Sequence, residues 1–203
     1  MSKASKRHIL VVDDNPGVRE ILAMLLRCAG YDVAVAEDGF AALSQLRKTL
    51  PDVVVSDLEM PRMSGFELLS IVRRRFPQIL TVAMSGAYSE DGLPSWIAAD
   101  GFYAKGGQPK NLLRKIEQLI ISTPEASRAH RREIVPAWVP LNGNDSNGIP
   151  YVSVTCEACL RSFQLVVVKE ITGQVVDVAC RFCPVKNKYI IAPSLENGCE
   201  ACA

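Results

Sequence analysis

At 203 residues, 48% hydrophobic and with net charge +1, the chain is long for one small domain, can bury a core, and presents no global field that would favour a polyanion. Lys and Arg balance Asp and Glu region by region, fifteen to fourteen in residues 1–121, three to three in 122–150 and five to five in 151–203, which excludes a polybasic nucleic-acid arm. No apolar run approaches the roughly 18 residues needed to span a bilayer. Lys3, Lys6 and Arg7 lead into a strand ending in paired acids instead of a signal-peptide cleavage site, so a cytoplasmic protein is expected.

Over residues 6–121 strand-like and helix-like runs alternate. The pattern predicts strands near 8–12, 32–36, 52–56, 79–84 and 102–104, and helices near 16–29, 39–48, 64–75, 89–98 and 109–121. This is an α/β domain with a five-stranded parallel sheet and helices on both faces. Asn15-Pro16 caps and opens the first helix, Val18, Ile21, Leu22 and Leu25 form its inner face, and Gly30 ends it. Asp38 starts the second helix, which has Leu43 and Leu46 inside. In the third, Phe66, Leu69 and Val72 face inward, while Arg73-Arg74-Arg75 reads as a solvated end near the negative pole of the helix dipole. Gly92 and Pro94 weaken the fourth; Leu112, Leu113, Ile116, Leu119 and Ile120 make the fifth strongly amphipathic. Residues 122–150, with their prolines and the run Asn142-Gly143-Asn144-Asp145-Ser146-Asn147-Gly148, read as a flexible linker in which Trp138 stands out as a docking residue. Short β-like runs follow at 151–155, 163–168, 174–179 and 188–192.

The strands carry reactive groups at their carboxyl ends, where open α/β sheets bind ligands. The first ends in Asp13-Asp14, the third in Asp57, the fourth in Ser85-Gly86, and the short last one in Lys105. An Asp after a strand can simply cap the next helix; these companions set Asp57 apart. Three carboxylates make the hard, oxygen-rich site that Mg²⁺ prefers. Asp57 is then able to attack phosphorus in line to form an acyl phosphate, with Lys105 supplying positive charge and Ser85 a hydroxyl to the phosphoryl oxygens.

The stretches Val12-Asp13-Asp14-Asn15, Asp57-Leu58-Glu59-Met60-Pro61-Arg62-Met63-Ser64-Gly65, Met84-Ser85-Gly86-Ala87 and Tyr103-Ala104-Lys105 together resemble the receiver domain of two-component response regulators. The resemblance covers residues 6–121. It implies a flavodoxin-like receiver fold and Asp57 as phosphoacceptor for a histidine kinase. It further implies Mg²⁺ held by Asp13, Asp14, Asp57 and the Glu59 backbone carbonyl, Ser85 and Lys105 as coupling residues, and Phe102 at the aromatic switch position with Tyr103 adjacent. Gly106-Gly107 follow the lysine where that family usually has Pro, which implies a more flexible loop. Asp57-Leu58-Glu59 is also similar to the Asp-x-Asp motif of haloacid-dehalogenase-like phosphatases, but those enzymes place it after their first strand. A non-enzymatic switch is therefore expected. His8 and His130 lie on no helical phosphotransfer motif, so the phosphoryl donor is external.

Of the seven cysteines, Cys28 stands alone and reads as a small buried apolar residue. Cys156-Glu157-Ala158-Cys159 and Cys180-Arg181-Phe182-Cys183 are two tight pairs separated by twenty residues of β-rich sequence. Nothing in the sequence favours an extracellular disulfide framework, and no helix follows either pair as a thioredoxin-like redox motif requires. Two such turns complete the tetrahedral sulfur site Zn²⁺ favours, and residues 151–192 resemble a zinc ribbon with a structural metal. Cys199 and Cys202, in the tail 193–203, stay unassigned.

The segment after residue 150 has no helix pair of the helix-turn-helix kind. Because it is formally neutral and a tetrathiolate zinc centre adds about two negative charges, a protein partner is favoured over DNA as its target, with DNA as the alternative.

Overall fold

In the computed structural model the apolar run Val53–Asp57 becomes the middle strand of a parallel sheet, buried along its whole length. The structure describes residues 6–89, 97–123, 136–141, 143–144, 146–168 and 172–192. They divide between two compact units, Met1–Ile134 and Val135–Ala203.

The first unit contains β1 (His8–Val12), α1 (Pro16–Cys28), β2 (Asp32–Ala36), α2 (Gly39–Leu46), β3 (Val53–Asp57), α3 (Gly65–Arg75), β4 (Leu80–Ser85), β5 (Gly101–Ala104) and α4 (Pro109–Ser122). The strand order is β2-β1-β3-β4-β5, all parallel. On one face Leu22, Ala23 and Leu26 of α1 and Leu112 and Ile116 of α4 pack on Ile9, Val11, Val53, Val55, Val82 and Met84. On the other, α2 packs beside α3. The caps read from the sequence are present: Asn15 Oδ1 accepts from the N–H groups of Gly17 and Val18, and Asp38 Oδ1 from that of Ala41.

Several side chains differ from expectation. Ile21 is exposed and Ala23 and Leu26 are buried in its stead, because the helix turns a narrower face to the sheet than its apolar composition suggests. Cys28, at the last turn, is exposed. Arg73 is not a solvated end: its guanidinium lies 2.6 Å from Asp100 and bonds Thr81, tying α3 to the segment before β5. The predicted helix near 89–98 falls largely outside the described residues, as do Cys199, Cys202 and the tail.

The second unit is all β. A three-stranded antiparallel sheet contains β7 (Gly143–Asn144), β8 (Pro150–Thr155) and β9 (Ser162–Val166). A second sheet, in the order β10-β11-β6, contains β6 (Ala137–Pro140), β10 (Val175–Ala179) and β11 (Lys186–Ala192). Ala137, Val139, Val152, Val154, Phe163, Val167, Tyr189 and Ile191 form its core. The stretch 122–150 is thus not a linker throughout, since β6 lies within it and pairs in parallel with β11. Pro136 and Pro140 obscured the strand in the sequence; they flank and end it, where the missing N–H costs little, while Ala137 and Val139 alternate into the core.

Candidate functional site

The chain emerges from β1, β3, β4 and β5 on one edge of the sheet, and the parallel register fixes how the side chains meet. Asp57 is opposite Met84 and Ser85 opposite Ala104, so Lys105 follows directly beside Ser85. Backbone bonds extend the ladder past the strand ends, from Leu58 N to Met84 O at 2.9 Å and from Lys105 N to Ser85 O at 2.7 Å. Asp57, Ser85 and Lys105 therefore sit at strand ends held by backbone hydrogen bonds.

Lys105 Nζ lies 2.7 Å from Asp57 Oδ2 and 2.9 Å from Asp13 Oδ2. Asp13 and Asp57 are buried while Asp14 is exposed, and each of the three offers an oxygen within 4.8 Å of the others. Burial pushes the Asp57 carboxyl above the usual carboxylate range; the Lys105 ammonium opposes that shift and the Asp13 charge adds to it. The lysine is desolvated, yet its bonds to Asp57 and Asp13 hold its pKa above the ordinary value. One ammonium among three carboxylates leaves negative charge uncompensated, and a divalent cation on oxygen ligands fits that deficit.

The remaining bonds position this group. Asn15 N donates to Asp13 Oδ1 at 2.9 Å, and Arg19 Nη1 donates to the Asp13 carbonyl at 2.6 Å. Ser85 Oγ accepts from the N–H groups of Ala87 and Tyr88 and donates to Glu59 Oε2 at 3.2 Å. That role of the Glu59 side chain was not legible in the sequence, which pointed only to its backbone carbonyl. Gly65 is fixed by space: a Cβ there would stand 1.8 Å from the Asp57 carbonyl oxygen. Phe102 and Tyr103 are both buried at adjacent positions of β5, and the Tyr103 hydroxyl donates to the Gly107 carbonyl at 3.1 Å. Gly106, at φ +91°, takes the left-handed conformation that Pro could not adopt.

In the second unit Cys156 and Cys159 lie on a turn after β8, and Cys180 and Cys183 on a turn between β10 and β11. Each turn is closed by backbone bonds, Cys156 N to Arg161 O and Cys180 N to Val185 O. The four Sγ atoms converge, with Cys156 and Cys183 3.6 Å apart and Cys159 and Cys180 3.7 Å apart. Four sulfurs about 2.3 Å from a tetrahedral centre are separated by about 3.8 Å, so the spacing suits a tetrahedral metal. Burial disfavours a Cys156 thiolate, but the N–H groups of Cys159 and Ala158 and the Asn187 amide outweigh it and bring the thiol down to about 7. A Val185 N–H favours ionisation of Cys183, yet burial and the neighbouring sulfurs push it up to about 12. Without a cation the cluster resists full ionisation; with one it could hold a metal through four thiolates.

Residues 9–117 match the response regulator receiver domain family, and the chain belongs to that family. The DNA-binding response regulator MtrA of Mycolicibacterium smegmatis is 32% identical over 153 residues, covering 74% of this chain and 62% of that relative. The chain thus spans less than two thirds of that relative's length. Among solved structures, the response regulator TrrA of Thermotoga maritima in complex with Mg²⁺ and BeF is 36% identical at a TM-score of 0.51, covering 56% of this chain and 98% of that one. A complex of the histidine kinase ThkA with TrrA matches at 32% identity and a TM-score of 0.53, over 56% of this chain and 98% of that one. TrrA is thus seen with Mg²⁺ and BeF in one of these structures and with a histidine kinase in the other.

Proposed function

We propose that this protein is a phosphorylation-dependent switch: the first unit accepts a phosphoryl group on Asp57 from a histidine kinase, and the second relays the signal to a protein partner. The observation that carries the reading is the Lys105 ammonium held between Asp57 and Asp13 at the end of the central strands. Asp13, Asp14 and Asp57, with the Glu59 carbonyl, would hold Mg²⁺, which supplies positive charge to a phosphoryl group. Asp57 attacks phosphorus in line and the donor's oxygen or nitrogen leaves. Lys105 then exchanges its carboxylate partner for a phosphoryl oxygen, and Ser85 turns its hydroxyl to another. That exchange moves β4 and β5 and reaches Phe102, the switch position.

The four cysteines of the second unit would hold Zn²⁺ in a closed, structural site. Sulfur spacing supports this, since four thiolates are enough to fill a tetrahedral metal. A protein partner is favoured over DNA because the cations around the centre roughly balance its charge. The name of the MtrA relative keeps duplex DNA as the second reading, and phosphatase turnover on Asp57 ranks below both. The cytoplasm suits reduced thiolates and a kinase donor.

Native mass spectra of the whole chain, recorded before and after acetyl phosphate with Mg²⁺ beside Asp57→Asn, test both halves. One retained zinc and a phosphoryl increment in the unsubstituted chain alone are expected. An increment that survives Asp57→Asn would move the phosphoacceptor elsewhere, and a metal-free second unit would return its cysteines to redox chemistry.

A further inference from the structure

The turn between Cys180 and Cys183 carries the exposed Arg181 and Phe182, and neither side chain is used by the metal site. Phe182 is 49% exposed. It meets Phe163 edge to face at 6.2 Å, with the Arg161 guanidinium 5.5 Å from its own centroid and the Arg181 guanidinium 5.7 Å from that of Phe163. Arg161 thus lies over the exposed Phe182, which meets the buried Phe163 edge on, and Arg181 lies over Phe163. Phe182 N donates to Cys180 Sγ at 3.3 Å, so the backbone that carries the ring is tied to the cysteine cluster. Arg161 and Arg181 are exposed, and neither makes an ion pair among the described residues.

This composition has a chemical meaning. A guanidinium stacked on an aromatic ring keeps its N–H edge for a bidentate carboxylate and has lost little rotamer freedom by waiting. The exposed Phe182 ring, with Arg161 over it and Arg181 next to it in the chain, offers the apolar anchor of a protein interface, where aromatic residues and Arg carry most of the binding energy. A uniform polyanion fits less well. Along the segment around the cluster Arg161, Arg181, Lys186 and Lys188 are set against Glu157 and Asp177, and a tetrathiolate zinc would add about two negative charges. The field is therefore local, suited to one or two carboxylates and not to a phosphate backbone.

We infer that Phe182, flanked by Arg161 and Arg181, is the docking surface of the second unit, and that it binds a protein segment in which Asp or Glu flanks an aromatic or aliphatic side chain. The inference rests on the protein-partner reading and gives that partner its chemistry.

A phage-displayed random 12-residue peptide library, selected on the immobilised zinc-loaded full chain, tests it. Enriched peptides should carry Asp or Glu within two residues of a large apolar side chain. Binding of a fluorescein-labelled selected peptide should weaken about tenfold or more with Phe182→Ala, and again with the pair Arg161→Glu and Arg181→Glu. Zinc content and the urea unfolding midpoint of each variant establish that the unit still folds; Phe182→Leu, which keeps an apolar anchor, should lose less. Selected peptides without acidic enrichment would overturn the surface. Binders indifferent to all three substitutions but lost on Cys180→Ser would overturn it too, while leaving the protein-partner reading in place. A library that yields no binder overturns both, and an oligonucleotide whose binding is lost in the same variants reassigns the surface to nucleic acid.

Discussion

Ser85 Oγ donates to Glu59 Oε2 at 3.2 Å, so the hydroxyl that should engage a phosphoryl group on Asp57 is already engaged by a carboxylate two residues beyond Asp57. On the proposed function, phosphorylation of Asp57 would have to break this bond and bring a dianion near the Glu59 charge. Replacing Glu59 by Ala removes both obstacles, whereas Gln keeps an acceptor and removes only the charge. A net hydrogen bond of about 1 kcal/mol corresponds to roughly a fivefold change in equilibrium. The phosphorylated fraction at fixed acetyl phosphate, read by intact mass, should rise by about that factor in Glu59→Ala and by less in Glu59→Gln. A fraction unchanged in both would show that the bond is no barrier.

Gly65 opens α3 against the backbone of Asp57, and an added Cβ would lie 1.8 Å from its carbonyl oxygen and 2.8 Å from Leu58 Cα. The obstruction is backbone, so no side-chain rotation relieves it. Gly65→Ala should cost about 3 kcal/mol or more, comparable to other severe core lesions, and should displace Asp57. Urea unfolding and acetyl phosphate labelling should fail together; a variant of normal stability would mean that α3 shifts away without cost.

In the second unit the fully buried Tyr189 donates its hydroxyl to the Thr155 carbonyl at 2.9 Å, joining β11 to the end of β8 directly before Cys156. Tyr189→Phe keeps the ring and strands a buried acceptor, at a cost of about 1–3 kcal/mol. The loss should appear in the unfolding of the second unit and in weaker zinc retention against a chelator. A loss confined to the first unit's transition would contradict the division of the fold.

A zinc-selective chelator at neutral pH should unfold the second unit and spare the first, because a small β unit draws much of its folding energy from the metal. Fluorescence of Trp138 in a Trp96→Phe chain reports the second unit, and phosphorylation of Asp57 reports the first. Chelation that leaves the Trp138 signal unchanged would show that the core of Ala137, Val139, Val152, Val154 and Tyr189 suffices alone.

The two parts of the chain were legible to different degrees. In the first, the Val, Ile and Leu runs ending in Asp13 and Asp57, and the shorter apolar runs before Ser85 and Lys105, could be placed without coordinates, because buried parallel strands admit few polar residues and carry their ligands at one edge. The Cys-x-x-Cys spacing likewise announced a four-sulfur cluster. Helix faces were less certain. Ile21 and Cys28 look as apolar as Leu26, and only packing against the sheet decides which side is buried.

Sequence by itself determined the alternation of strands and helices over residues 8–85 and 101–122, the residues at each strand end and the paired cysteines, since each depends on neighbours along the chain. Tertiary structure alone decided the rest. It placed Lys105 between Asp57 and Asp13, gave Glu59 to Ser85, drew Arg73 to Asp100, turned residues 137–140 into a strand beside β11, and stacked Arg161 and Arg181 on two phenylalanines. All of these join residues remote in sequence, and their energies come from burial and charge, which exist only once the chain has closed on itself.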